Sequence, residues 1–301
     1  MELNGNPQFQ HAAFTGGLAS ELKRMNPSQR QAWEEAYAPK NKIFLDQKLK
    51  GEALKKWKYQ RYIKDYLRCI KSVDDEVGRL LDYLETEGLM ENTVVVYTSD
   101  QGFYVGEHGW FDKRFMYEES FRAPLIVRYP KIIPAGSMSN ALVQNIDFAP
   151  TLLALAGAKQ PEEMTGLSLV PLFTDAPSEN WRSSLYYHYY DYPAFHNVRR
   201  HDGVRTNKYK LIHFYGKGGV GGGTSLMQLK EGTAERKFML AYAASGKIGN
   251  DTDIDCYELY DLKEDPHELN NLYNEPSYDA IRSELHKMLD KYRKDLKVDE
   301  Y

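Results

Sequence analysis

The chain has 301 residues, 42% hydrophobic and 27% charged, with a formal net charge of −4. That length and balance suit a soluble globular protein of one large or two smaller domains, and give no reason to expect a partner made of nucleic acid or membrane surface. No run of 18 apolar residues occurs, so no transmembrane span is expected.

The opening residues, MELNGNPQFQ, contain neither a basic nor an apolar region of the signal-peptide kind, so no export signal is expected. Residues 1–58 are polar and lysine-rich, with helix expected around Ser28–Ala38 and Gln47–Lys58. The lysines from Lys40 to Lys58 read as a solvated helix face. Tyr62, Tyr66, Ile70, Val73, Val77, Leu80, Leu81 and Leu84 recur at spacings of three and four, which predicts one apolar stripe on a helix ending near Gly88. Within it, Cys69 reads as a small buried hydrophobe. Thr93–Thr98 and Pro124–Pro130 are β-branched apolar runs that predict buried strands, separated by a polar and aromatic loop. A helix is expected over Ala149–Ala156, with the Asp147 carboxylate placed to accept backbone N–H groups at its start. This alternation describes part of an α/β layer fold.

After about residue 176 the texture changes. Strands are expected at Leu185–Tyr190, Val204–Tyr215 and Glu258–Leu262, and a closing helix at Tyr278–Tyr292. The division is therefore 1–175, an α/β part, and 176–301, a smaller α+β subdomain with antiparallel strands. Gly216–Gly223 lacks the Lys-Ser/Thr that ends a phosphate-binding loop, and reads as a flexible connection. The two cysteines, Cys69 and Cys256, are too few for a disulfide framework or a zinc finger. The 23 tyrosines fit either sugar binding or packing.

In open α/β sheets, ligands gather at the carboxyl ends of strands. Asp100 and Gln101 stand there, as two oxygen donors able to share a hard cation such as calcium or magnesium. The plainer alternative is that Asp100 caps a turn in which Gly102 supplies a positive φ. Further on, Gly106-Glu107-His108-Gly109 and Asp112-Lys113-Arg114 place an imidazole and two cations where an anion could be held beside that metal. For Lys113 the plainer reading is a surface ion pair with Glu107 or Asp112.

The stretch Thr98-Ser-Asp-Gln-Gly-Phe-Tyr-Val-Gly-Glu-His-Gly-Trp-Phe-Asp-Lys-Arg-Phe-Met-Tyr-Glu-Glu-Ser120, followed by Pro124–Pro130, resembles the second signature region of type I sulfatases. Asn145-Ile-Asp-Phe-Ala-Pro-Thr-Leu-Leu153 and Glu258-Leu-Tyr-Asp-Leu-Lys-Glu-Asp-Pro-His-Glu268 extend the resemblance over most of residues 60–275. It implies an alkaline-phosphatase-like mixed-sheet sandwich and the hydrolysis of sulfate esters on glycans, most like the N-acetylglucosamine-6-sulfatases and other glycosaminoglycan sulfatases. It also implies residue roles. Asp100 and Gln101 match the late pair of calcium ligands, Gln101 offering an amide oxygen one methylene further out than the common Asn. Lys113 matches the lysine that contacts the sulfate and the leaving-group oxygen, and His108 lies where exported glycan sulfatases often carry a histidine. Arg200 and His201 resemble a substrate-contacting stretch, although a surface turn describes them equally well.

The family's formylglycine nucleophile derives from a Cys/Ser-x-Pro/Ala-x-Arg motif, and no segment of the sequence matches it. Cys69 precedes Ile-Lys-Ser-Val, Cys256 precedes Tyr-Glu-Leu-Tyr, and Ser20 has Leu22 at the Pro/Ala position. Asp100 and Gln101 likewise supply two of the six to eight oxygens that calcium takes. The expectation is a truncated, split or deliberately partial sulfatase, inactive alone, that pairs with a separately encoded N-terminal half or with its own copy. The resemblance implies a periplasmic or extracellular parent. The other readings are a non-catalytic binding remnant of the fold and a phosphate-ester hydrolase of the same superfamily.

Overall fold

A computed structural model describes residues 22–173, 181–190, 198–216 and 253–298, together with Gly232 and Lys237. Ser20 and residues 217–223 lie outside the described residues. The chain packs as two units: one holds the described residues up to Glu87 with Val105–Trp110, and the other holds Gly88–Tyr104 and the described residues from Phe111 onward. The expected boundary at 175/176 falls inside the second unit.

The first unit is built on two helices, α1 (Pro27–Gln47) and α2 (Gly51–Thr86). Asn26 starts α1: its side chain accepts from the Gln29 N–H at 2.9 Å, and the Gln29 side chain accepts from the Asn26 N–H at 3.0 Å. This reciprocal cap, with Pro27 in a first turn that needs no N–H, fixes the entry of the helix. Lys48 takes a left-handed φ of 47° and ends it. The rings of Phe44 and Trp57 stack at 4.0 Å, and the Arg61 guanidinium lies 4.6 Å from the Tyr37 ring. The helix expected over Gln47–Lys58 and the apolar stripe, read as separate helices, form one continuous helix from Gly51 onward. A 21-residue helix is about 32 Å long and a 36-residue helix about 54 Å, so α1 flanks only part of α2. Ile70, Val73 and Leu80 are each about half exposed, and Cys69, expected to be buried, is exposed.

In the second unit, β1 (Val95–Thr98) and β2 (Leu125–Arg128) pair antiparallel, from Val95 opposite Arg128 to Thr98 opposite Leu125. Both were expected to be buried. Among the described residues they form a two-stranded ribbon, and Val96, Tyr97 and Ile126 are exposed. Helix α3 (Phe148–Leu155) follows. The Asp147 carboxylate accepts backbone N–H groups as expected, but not those of the helix. It takes the N–H of Gln144 and of Leu167, each at 2.8 Å, and the Arg182 guanidinium.

The C-terminal part is a four-stranded antiparallel meander of β3 (Ser184–Tyr189), β4 (His201–Thr206), β5 (Tyr209–Gly216) and β6 (Ile254–Asp261), with α4 (Asp279–Asp295) after it. The single strand expected over Val204–Tyr215 is two strands. They reverse at Asn207-Lys208, where Thr206 Oγ1 accepts from the Tyr209 N–H at 2.9 Å. Period-two alternation then splits the sheet's faces. Leu211 and Leu259 pack with Leu285 and Leu289 of α4 on one face. Ile212, Phe214 and Tyr260 pack with Tyr104, Met116 and Tyr117 on the other. Tyr104 and the Phe115–Tyr117 stretch thus pack on that face of the sheet. No helix among the described residues is long and apolar enough to cross a membrane.

Candidate functional site

Asp100 and Gln101 leave the end of β1 in a turn closed by the Ser99 hydroxyl, which donates to the Gln101 carbonyl at 2.8 Å. Asp100 is exposed, and its carboxylate accepts no backbone N–H among the described residues, so it does not cap the turn. Gly102 does not adopt a positive φ either. Its requirement is close approach: its N–H donates to the Ser120 carbonyl at 2.7 Å, and a Cβ there would lie 2.0 Å from the Glu119 carbonyl oxygen.

Ser120 joins the two halves of the expected site. It is buried, its carbonyl receives Gly102, and its hydroxyl donates to the Lys113 carbonyl. The rest of the Lys113 segment is held as tightly. The Asp112 carbonyl accepts from the Tyr104 N–H at 2.8 Å, and the Arg114 carbonyl from the Tyr187 hydroxyl at 2.9 Å. The Phe115 carbonyl accepts from the Tyr104 hydroxyl at 3.2 Å, and the Met116 carbonyl from the Lys210 ammonium at 2.7 Å. Each carbonyl from Asp112 to Tyr117 therefore has a donor. A buried carbonyl left unpaired would cost about 1–3 kcal/mol, so this set of bonds selects one backbone course.

The Lys113 side chain projects from that frame and is exposed. The Asp112 carboxylate accepts from the Lys113 backbone N–H at 2.7 Å and from the Arg114 guanidinium. Among the described residues the Lys113 ammonium has no ion pair or hydrogen bond, so the expected surface pair with Asp112 is not formed.

His108 belongs to the first unit, in the turn Glu107–Gly109. Its φ of 52° is left-handed, and the turn is drawn in by Glu107, whose carboxylate accepts from the Val105 N–H at 2.8 Å. The imidazole stacks on Trp110 at 5.8 Å.

Arg200 and His201 stand at the start of β4. Arg200 is half-buried and its carbonyl accepts from the Tyr215 N–H. His201 is wholly buried, with Nδ1 2.8 Å from the Arg199 carbonyl and its ring against Phe115, Tyr189 and Phe214. Burial holds its imidazole well below the usual range, at about 4. It therefore lies behind the Lys113 segment, through Phe115.

Sequence reasoning missed Ser120, Tyr187 and Lys210. One signal was present: Lys210 alternates with Ile212 and Phe214, so it had to lie on a core-facing side. A buried lysine needs partners.

Asp100 and Gln101 fit part of a calcium shell by donor chemistry, since both offer oxygen and, among the described residues, neither side chain is engaged by a cation. No group of three or more His, Cys, Asp or Glu able to hold a metal occurs among the described residues.

Residues 7–158 match the family described as Sulfatase, and residues 106–251 and 247–295 match the one described as N-sulphoglucosamine sulphohydrolase, C-terminal. The chain is 44% identical over 286 residues to an N-acetylglucosamine-6-O-sulfatase of Bacteroides thetaiotaomicron, covering 94% of this chain and 45% of that protein. A multifunctional alkaline phosphatase superfamily protein of Trinickia caryophylli is 27% identical over 228 residues, 72% of this chain and 37% of its own. A solved structure described as a complex with its substrate D-glucosamine-2-N,6-O-disulfate superposes with a TM-score of 0.78 at 43% identity, covering 95% of this chain and 51% of that one. The chain spans less than half the length of these two curated relatives.

Proposed function

From the premise that the chain belongs to the sulfatase family, we propose that it forms the anion-binding and part of the metal-binding side of a site that removes sulfate from sulfated glycans. The observation that carries this is Ser120, which ties the turn after Asp100 and Gln101 to the backbone of Lys113. A 6-sulfate on N-acetylglucosamine or a related aminosugar is the substrate class, by analogy with what the 44%-identical relative is named for. A periplasmic or extracellular setting accords with such a substrate.

Lys113 would hold a sulfate oxygen and neutralise the charge that grows on the bridging oxygen as the S–O bond breaks. A preorganised cation acts mainly on that transition state. Asp100 and Gln101 would hold a calcium ion, which when bound draws electron density from the sulfate oxygens. His108 is proposed as a further catalytic group, as a histidine able to serve as a general acid or base. Arg200, the half-exposed member of its pair, would meet the sugar, and His201 would support the same surface from below. The family's nucleophile motif is not among these 301 residues, so no step is assigned to it.

The test is calorimetric titration with N-acetylglucosamine carrying sulfate at O6 or O4, and with a 2-O-sulfated sugar, with and without calcium. The account expects the 6-sulfate to bind most tightly, calcium to strengthen it, and Asp100→Ala to abolish the calcium effect. Equal binding of the unsulfated sugar would sink the reading.

A further inference from the structure

The late motif Glu258–Glu268 has no role in the site as described, yet both of its end carboxylates reach the Lys113 segment. Glu258 accepts from the hydroxyls of Tyr117 at 2.7 Å and Tyr260 at 2.9 Å. Glu268 accepts from the Glu118 N–H at 2.6 Å, and its other oxygen lies 2.7 Å from the Lys210 ammonium. Lys210 is wholly buried, donates to the Met116 carbonyl at 2.7 Å, and lies 2.9 Å from Glu118, which is also 3.1 Å from Arg205.

Glu268 is held there at a cost. It is 2% exposed, and its φ of 52° places a non-glycine residue in the left-handed region. Such a backbone persists only where its surroundings enforce it. Buried ion pairs are on their own weak sources of stability compared with apolar packing. A strained, buried Glu268 and a buried Lys210 therefore converge on the three successive residues Met116–Glu118 for something other than stability alone.

Those three residues lead to Lys113 by a short path. The Glu118 N–H that Glu268 receives opens the helical turn Glu118–Phe121. Ser120 of that turn holds the Lys113 carbonyl and the Gly102 N–H. We propose that Glu268 is a positioning residue: with Lys210 it fixes the Met116–Glu118 backbone and so sets where the Lys113 ammonium meets a sulfate. The proposal rests on the reading of Lys113 given above. Burial raises the Glu268 carboxyl above its ordinary range, with the Lys210 ammonium beside it pulling against that.

Glu268→Gln tests this with little change of shape. Its amide oxygen can still receive the Glu118 N–H, but its NH2 group must then face the Lys210 ammonium. Hydrogen exchange at the Glu118 amide should rise about tenfold and affinity for N-acetylglucosamine 6-sulfate should fall about tenfold, while protection in β5 changes little. Glu268→Gln combined with Lys210→Met removes the ammonium that the amide would face, and should show at least the same loss of affinity, with circular dichroism checking that the protein is folded. Lys113→Ala should lose affinity and leave exchange at Glu118 unchanged, which separates the brace from the sulfate contact. Unchanged Glu118 exchange and affinity in a folded Glu268→Gln would overturn the proposal. So would a loss of affinity matched by an equal loss of protection across β5. If the wild-type chain shows no affinity for the sulfated sugar, the sulfate reading falls first, and Glu118 exchange in Glu268→Gln still decides whether the brace exists.

Discussion

The Tyr187 hydroxyl on β3 donates to the Arg114 carbonyl at 2.9 Å, so the sheet holds the loop one residue after Lys113 by its backbone. The Tyr187 ring packs edge-on against Phe121 at 5.5 Å, and burial pushes its phenol up to about 12. Tyr187→Phe keeps the ring and removes the donor. It should destabilise the protein by about 1–3 kcal/mol, the cost of a buried carbonyl left unpaired. Urea unfolding of the two proteins measures this, and equal midpoints would mean that water reaches the carbonyl.

Gly102→Ala should be more severe than its size suggests. The new methyl would sit 2.0 Å from the Glu119 carbonyl oxygen, a backbone atom that cannot rotate away. The turn carrying Asp100 and Gln101 must then separate from Ser120, at a cost of about 1–3 kcal/mol or more. Calcium affinity and thermal midpoint should fall together; a fall in neither would show that the approach is loose.

Asp147 is wholly buried and carries two backbone N–H bonds and the Arg182 guanidinium. Removing one partner of a buried pair leaves the other charge uncompensated, so Arg182→Met should cost about 3–5 kcal/mol. Asp147→Asn keeps shape but turns one acceptor into a donor facing other donors, and should be similarly damaging. Chemical denaturation of both variants checks this. A midpoint near wild type for Arg182→Met would show that Asp147 is stabilised by its backbone donors alone.

The sequence made legible what depends on local pattern. The periodic run from Tyr62 to Leu84 is a helix, the two β-branched runs are strands, and Asp100 stands at a strand end. What it hid depends on distant pairing. The Asn207-Lys208 reversal lay inside a polar stretch, Arg205-Thr-Asn-Lys208, with no glycine or proline to mark it. Cys69 lies on the expected helix, yet it is exposed. Ser120, Lys210 and Glu268 are polar residues whose partners lie 7, 94 and 150 positions away, beyond the reach of any spacing rule.

Acid should destabilise the chain through His201. Its folded value, about 4, lies below the ordinary imidazole value near 6.5, because burial outweighs the Arg199 carbonyl and Asp202. Below about pH 6.5 the unfolded chain takes up a proton that the folded chain refuses, so stability falls as pH drops from there to about 4. Burial also lowers His213 and His286, which adds to the same trend. His201→Phe keeps the aromatic packing and removes its share. Between about pH 7 and about pH 5 the wild type should lose about 2 kcal/mol more than this variant. Parallel pH profiles would place His201 outside the titration.

The central claim is that Lys113 is held ready for a sulfate, and the direct measurement is the affinity of wild type and Lys113→Ala for N-acetylglucosamine 6-sulfate in saturating calcium. A charge-assisted hydrogen bond to an anion contributes about 1.5–3 kcal/mol, so the substitution should weaken binding about tenfold to a hundredfold. Lys113 is exposed and bears no ion pair among the described residues, so the thermal midpoint should barely move. Equal affinities for the two proteins, with the wild type binding the sulfated sugar, would contradict the account and return Lys113 to the surface.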